Sequence, residues 1–166
     1  MTRARWTATG LARRLGIDLP ILQAPMAGVS GPELAAAVAN AGGLGSLGTA
    51  ILSPDELDAA ISAFRRLSNR AVNVNFFCHE TPTDPEPRSE AMRTALAPLY
   101  AARGLGPVPP ASVPRLPFSE DHAEILERRR PEIVSFHFGL PAPALPHAAI
   151  RPRKNPPPVA RPQERI

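Results

Sequence analysis

The sequence predicts an α/β protein assembled from parallel βαβ units. Three observations predict it. Short apolar runs alternate with amphipathic stretches of ten or more residues. Several of those stretches open on helix-start signals. The later apolar runs place a polar residue at every second position, the period of a strand. The order read along the 166 residues is strand, helix, strand, helix, strand, helix, helix, strand. Right-handed crossovers then put the helices outside the sheet. A doubly wound sheet and a (β/α) barrel both fit that order, and the local pattern does not separate them.

The elements follow in turn. Thr9 to Gly16 is expected to be a short amphipathic helix, with Leu11 and Leu15 four residues apart. Pro20 to Met26 is an apolar run expected to be the first strand, and Gly28 to Gly31 a turn. Ser30 and Glu33 have capping-box spacing with Pro32 between them, so a helix should run to about Ala41 with Leu34, Val38 and Ala41 on one face. Gly42-Gly43 should stop it. Leu44 to Ala50, glycine-rich and poor in bulk, is the expected second strand. Ser53-Pro54-Asp55-Glu56 is the clearest helix start in the chain, leading into an apolar stripe of Leu57, Ile61, Phe64 and Leu67. Ala71 to Phe77 is the expected third strand. Ser89 to Arg103 should be a helix interrupted or bent at Pro98, and Gly104 to Pro117 irregular. Ser119 to Arg130 should be a further helix and Ile133 to Gly139 the fourth strand.

Composition bounds the function. Hydrophobic residues at 43% and charged residues at 20% describe a globular chain. The length suits one domain but falls short of the roughly 250 residues of a complete eight-stranded barrel. The net charge is +4 and only 5% of residues are aromatic. The arginines stand in small groups without interleaved aromatic stacking platforms, so they read as solvated helix ends and an irregular tail, not as a nucleic-acid surface. A single cysteine, Cys78, allows no intrachain disulfide. No secretory signal and no run of 18 apolar residues is visible, so a cytoplasmic protein that neither enters nor spans a membrane is expected.

The chemistry sits on the strands. In the third, Val72, Val74 and Phe76 share one face while Asn73, Asn75 and Phe77 share the other. In the fourth, Val134, Phe136 and Phe138 share one face while Ser135 and His137 share the other. The apolar sets belong under the helices. The polar sets then point inward, where amides, a hydroxyl and an imidazole need partners. A ligand at the C-terminal ends of the strands would supply them. On pattern alone His137 fits both a hydrogen-bonded structural histidine and a catalytic base. Asn75 fits both an amide tied to neighbouring backbone and a ligand contact. Gly42-Gly43-Leu44-Gly45 with Gly48 follows a helix and enters a strand, the reverse of a phosphate-binding fingerprint, and reads as a helix stop with close strand packing. Cys78-His79-Glu80 are adjacent on an extended chain, so they point apart and make a poor metal site; no metal is expected. His122 and His147 read as surface residues, and Asp121 and Glu124 as a charged helix face.

Three segments in register carry a resemblance. Gln23-Ala24-Pro25-Met26-Ala27-Gly28, with Pro32-Glu33-Leu34 and Ala41-Gly42-Gly43-Leu44-Gly45 after it, resembles the opening of nitronate monooxygenases, formerly called 2-nitropropane dioxygenases. Asn73-Val74-Asn75-Phe76-Phe77 is similar to that family's third-strand segment, and Ser135-Phe136-His137-Phe138-Gly139 to its fourth. The resemblance covers about residues 15 to 145. It implies the N-terminal half of an FMN-binding TIM barrel, about four βα units, over residues 1–145. It implies that backbone at Ala24, Pro25 and Met26 lies along the flavin ring, that Asn75 hydrogen-bonds the flavin, and that His137 faces the substrate. It implies oxidation of a nitronate or nitroalkane by FMN and oxygen to a carbonyl compound and nitrite, with no metal, nucleic-acid or membrane partner. A flavin-dependent enoyl-[acyl-carrier-protein] reductase is the alternative enzyme, since it shares the early strand pattern, but no histidine is expected in its Ser-Phe-His-Phe-Gly counterpart.

The chain departs from the family after Gly139. Eight prolines fall between positions 141 and 162, a density that prevents both helix and strand. No glycine-rich phosphate segment follows. Residues 146–166 are therefore expected to be an irregular, disordered tail, as when a gene is read in a shifted frame, and the chain to be truncated and weakly active or inactive. A non-catalytic fragment or partner-dependent α/β module is the reading from a different class.

Overall fold

The structure, a computed structural model, describes residues 9–80, 85–110 and 117–141. They divide into two compact units, one of residues before 80 together with those from 117, the other within 80–115. The first carries a parallel sheet of three strands: β1 (Gly45–Gly48), β2 (Val72–Phe77) and β3 (Ile133–His137), side by side in chain order. The expected first strand is reduced to a single parallel bridge between Leu22 and Leu44. Its extension is made by a side chain: the Gln23 amide donates to the Ser46 carbonyl and accepts from the Ser46 N–H, both at 3.2 Å. The Pro20 and Pro25 rings lack the N–H groups a longer ladder would need.

Helix α1 (Gly10–Leu15) is capped by the Thr9 hydroxyl and ended by Gly16 at φ 69°. It buries Ala12, not the expected Leu11, which is exposed. Ala12, Ile17 and Leu44 form a small core against Leu15, Ala71 and Ile133. These last residues stand at the N-terminal ends of β2 and β3, so this small core closes that end of the sheet and leaves the C-terminal edge open.

Helix α2 (Pro32–Asn40) begins at Gly31 without a side-chain cap. The expected Ser30–Glu33 box does not form, because the Ser30 hydroxyl is engaged with the Met26 backbone. The buried face is also different: Ala35, Ala36 and Ala39 are buried, while Leu34 is exposed. The reason is contact distance. A Cβ on Gly45 would lie 2.0 Å from the Ala35 carbonyl oxygen. Helix and strand meet backbone to backbone, which only alanine and glycine permit.

Helix α3 (Pro54–Leu67) has the expected capping box, with Ser53 and Glu56 each bonding the other's backbone. Its stripe of Leu57, Ile61 and Phe64 is fully buried, whereas Leu67 is half exposed in the last turn. Helix α4 (Pro85–Ala102) starts four residues earlier than expected and contains Pro98; it belongs to the second unit. Helix α5 (Glu120–Arg129) packs on α3. The main core lies between the helices and the outer face of the sheet, formed by Leu47, Val72, Val74 and Phe76 under Leu57, Ile61, Phe64, Ile125 and Leu126. Several arginines expected to be merely solvated are paired across elements. Arg129 and Arg128 both bond Asp58, holding its carboxyl well below the usual carboxylate range. Arg65 bonds Glu132 at 2.6 Å.

His122 is a second correction from tertiary structure: it is 5% exposed, not at the surface. It packs among Phe76 and Phe118. Ser119 N donates to its Nδ1 at 3.1 Å, so the ring proton belongs on Nε2, toward the Leu52 backbone. Burial pushes the imidazole below its ordinary value, with Asp121 and the Leu52 bond acting the other way. Below the unfolded value of about 6.5 the unfolded chain takes up a proton that the folded one resists, so stability should fall as pH drops from there. His122→Asn keeps an acceptor for Ser119 and removes the titration. Its urea midpoint should change less between pH 7.5 and pH 5 than that of the wild type.

Candidate functional site

Register decides which side chains share a face. Gly48 pairs with Asn75 and Asn75 with Ser135, while Phe77 pairs with His137. Partners in parallel strands project to the same side, so Ser46, Asn73, Asn75, Phe77, Ser135 and His137 all lie on the face opposite the helix core. Asn75 and His137 therefore share one side of the sheet on adjoining strands. His137 is two residues beyond Ser135, about 6–7 Å further toward the C-terminal edge.

Gly48 explains how the 24–27 segment joins this face. A Cβ there would lie 2.6 Å from Ala27 N and 3.0 Å from Met26 backbone atoms. The backbone of Met26 and Ala27 occupies the place of a side chain at position 48, next to Asn75. Ala24, Pro25 and Met26 are themselves exposed. Thr49 secures the same point, its N–H and hydroxyl both donating to the Asn75 carbonyl, the hydroxyl at 2.6 Å.

The Asn75 amide donates to the Ser135 hydroxyl at 2.9 Å and to the Ser135 carbonyl at 3.3 Å. Its Oδ1 accepts no hydrogen bond among the described residues. One layer deeper, Asn73 donates to Ser46 Oγ at 3.2 Å, and its buried Oδ1 has no partner among the described residues. An orphaned buried acceptor costs about 1–3 kcal/mol. The His137 ring is exposed, and its nitrogens bond nothing among the described residues.

Phe138 departs from the expected alternation. Its φ is 65°, and Gly139 follows at 129°. The turn takes Phe138 off the outer face, where Val134 and Phe136 pack, and sets its ring 4.9 Å from Phe77 and 4.4 Å from His137. A left-handed bulky residue costs roughly 1–2 kcal/mol. Nothing in the local sequence signals it beyond the glycine that follows. Local sequence gives no comparable signal for the roles of Ser46 and Thr49, which depend on pairing with Gln23 and Asn75 across the sheet.

The glycine run is occupied structurally. Gly42 N donates to Ala39 O, Gly43 N to Val38 O and Leu44 N to Ile21 O. With those amides spent, the segment cannot cradle a phosphate. Cys78 is half-buried, and burial pushes its thiol up, so it stays protonated. Among the described residues no three His, Cys, Asp or Glu side chains gather as a metal site, and no helix is long and apolar enough to cross a membrane.

The sequence profile of nitronate monooxygenases matches residues 9–149. The chain belongs to the nitronate monooxygenase family. It is 44% identical over 130 residues to a nitronate monooxygenase of Paraburkholderia phytofirmans, covering 77% of this chain and 36% of that protein. It is 44% identical over 131 residues to one of Pseudomonas aeruginosa, covering 78% and 37%. The chain thus spans somewhat over a third of these relatives. Among solved structures it resembles a nitroalkane oxidase from Streptomyces ansochromogenes, with TM-score 0.67 and 31% identity over 86% of this chain and 39% of that one. FabK from Thermotoga maritima follows at TM-score 0.51 and 26% identity, covering 84% and 32%. Both are of the TIM-barrel type. This chain is α/β with a partial parallel sheet; the 146–166 segment lies outside the described residues, and only its first four positions fall within the matched region.

Proposed function

We propose that this chain supplies the ring-binding and substrate-facing part of an FMN-dependent enzyme that oxidises nitronates, or nitroalkanes, to a carbonyl compound and nitrite with oxygen. Residues 1–145 then correspond to the first βα units of a TIM barrel, with residues 146–166 outside it. One observation carries the reading. A continuous row on the open face runs from the Met26–Ala27 backbone through Gly48 and Asn75 to Ser135, with an unengaged imidazole at the next step.

The row fits the ring end of a flavin. Gly48 presents no side chain, the 24–26 backbone is accessible, and Asn75 keeps Oδ1 available because Ser135 holds its amide nitrogen. Bound there, FMN would supply the one-electron oxidation of the nitronate and the reaction with oxygen. Thr49 holds the Asn75 backbone carbonyl and Ser135 holds its amide nitrogen, so that Oδ1 meets the ring in one geometry. The His137 imidazole stands at the mouth, where it takes the proton from the carbon of a nitroalkane or bonds the oxygens of a nitronate.

The test is nitrite release from ethylnitronate by the full chain supplied with FMN. Nitrite formation supports the reading, and failure of the chain to bind flavin overturns it. A separate outcome concerns the phosphate. Because the Gly42, Gly43 and Leu44 amides are spent, riboflavin and FMN should bind with similar affinity in a fluorescence titration. A tenfold preference for FMN, about 1.4 kcal/mol, would require a phosphate site elsewhere in the chain.

A further inference from the structure

Two non-glycine residues among those described have positive φ, Arg130 and Phe138. Arg130 ends α5 in the left-handed turn that closes many helices. Phe138 ends no helix. Its backbone takes an unfavourable conformation, and its ring is left 63% exposed. Normal strand alternation would have placed that ring on the outer face beside buried Phe76 and half-buried Phe118 and Phe136. Conformational strain and loss of burial both oppose the observed position. What the position achieves is local: an edge-on contact with the His137 imidazole and another with Phe77, which together make an apolar wall at the open edge of the sheet. Strain held at such a place is characteristic of functional sites.

We propose that Phe138 is a specificity-determining residue, its ring and that of Phe77 receiving the alkyl tail of a substrate whose planar anionic head meets His137. This rests on the nitronate-oxidising reading and adds to it the class of substrate: straight-chain alkyl nitronates of several carbons bind better than the shortest ones. The wall is apolar and borders water on one side, so each methylene laid on it removes apolar surface from solvent. The same ring limits how the imidazole turns, because an edge-on aromatic neighbour at 4.4 Å blocks rotation on that side.

The test separates tail binding from catalysis by using planar anions that are not oxidised. Propionate, pentanoate and heptanoate are titrated calorimetrically into the full chain equilibrated with FMN. Wild-type affinity should rise about two- to fourfold per methylene. Phe138→Gly relieves the left-handed backbone and so should keep the fold, checked by circular dichroism; it should flatten the series while leaving propionate within about threefold of wild type. Phe138→Leu should keep part of the slope, and decides the matter if the glycine variant fails to fold. A purely structural role would weaken all three acids equally. An unchanged slope in the folded variants, or no dependence on chain length in the wild type, overturns the assignment. Nitrite release from ethylnitronate is scored apart, so loss of the tail preference and failure of the enzymatic reading are told from one another.

Discussion

His137→Ala should lower nitrite release by about 10²- to 10⁴-fold, the range for loss of a positioned proton-transfer group, while leaving the chain folded. The two halves of that expectation have separate grounds. The catalytic half rests on position. His137 is at the C-terminal end of β3, on the same face as Asn75, with no bond among the described residues competing for its ring nitrogens. The structural half rests on how little the side chain supports. The imidazole is exposed, and it contacts the rings of Phe77 and Phe138. The bonds that anchor this strand end are made by backbone, including Cys78 N to the His137 carbonyl at 2.8 Å, and alanine retains them. Losing the two ring contacts costs about 1–3 kcal/mol in all. The measurement is initial-rate nitrite production beside a urea unfolding curve. Equal rates for variant and wild type would remove His137 from the chemistry; a collapsed unfolding midpoint would make its role structural.

The largest effect on stability is expected at Gly45. Gly45→Ala should destabilise the chain by about 3 kcal/mol or more, against a total of roughly 5–15 kcal/mol for domains of this kind. The added Cβ would meet the Ala35 carbonyl oxygen at 2.0 Å, its carbon at 2.7 Å and the Ala35 Cα at 3.0 Å. These are backbone atoms inside α2, so no rotamer change relieves the clash. Relief requires moving the whole helix off β1, opening the core at Ala35, Ala39 and Leu47. Gly10→Ala is the matched control, because nothing lies within 4 Å of its would-be Cβ and the position is helical. Denaturant titration of the pair should show a large drop for position 45 and little change or a small gain at position 10. A mild effect at 45 would mean that α2 and β1 are not in backbone contact.

Period-two alternation in Val72–Phe77 and Ile133–His137 was enough to sort outer apolar residues from inner polar ones, because strand geometry leaves a side chain only two directions. The Ser53–Glu56 box and the stripe of Leu57, Ile61 and Phe64 were legible for the same reason: the governing interactions span three or four residues. Candidate positions 24–26, 75 and 137 could be named from the sequence. Their common face needed the register of β1 on β2 and of β2 on β3, pairings between residues 27 and 60 apart.

What stayed hidden depended on distance between elements. The buried face of α2 is chosen by how closely β1 approaches, so the larger Leu34 loses to Ala35 and Ala39. His122 is covered by Phe76 and Phe118, which lie on other segments. The Ser30 hydroxyl abandons its cap for the Met26 backbone, four residues upstream across a turn. Phe138 leaves the strand's alternation at a backbone turn that no propensity favours. Local periodicity and capping chemistry thus determined the element types, their order and the polar face. Tertiary contact alone decided which small residues touch, which histidine is buried, and which aromatic ring stands beside His137, since those outcomes depend on separations in space that spacing along the chain does not encode.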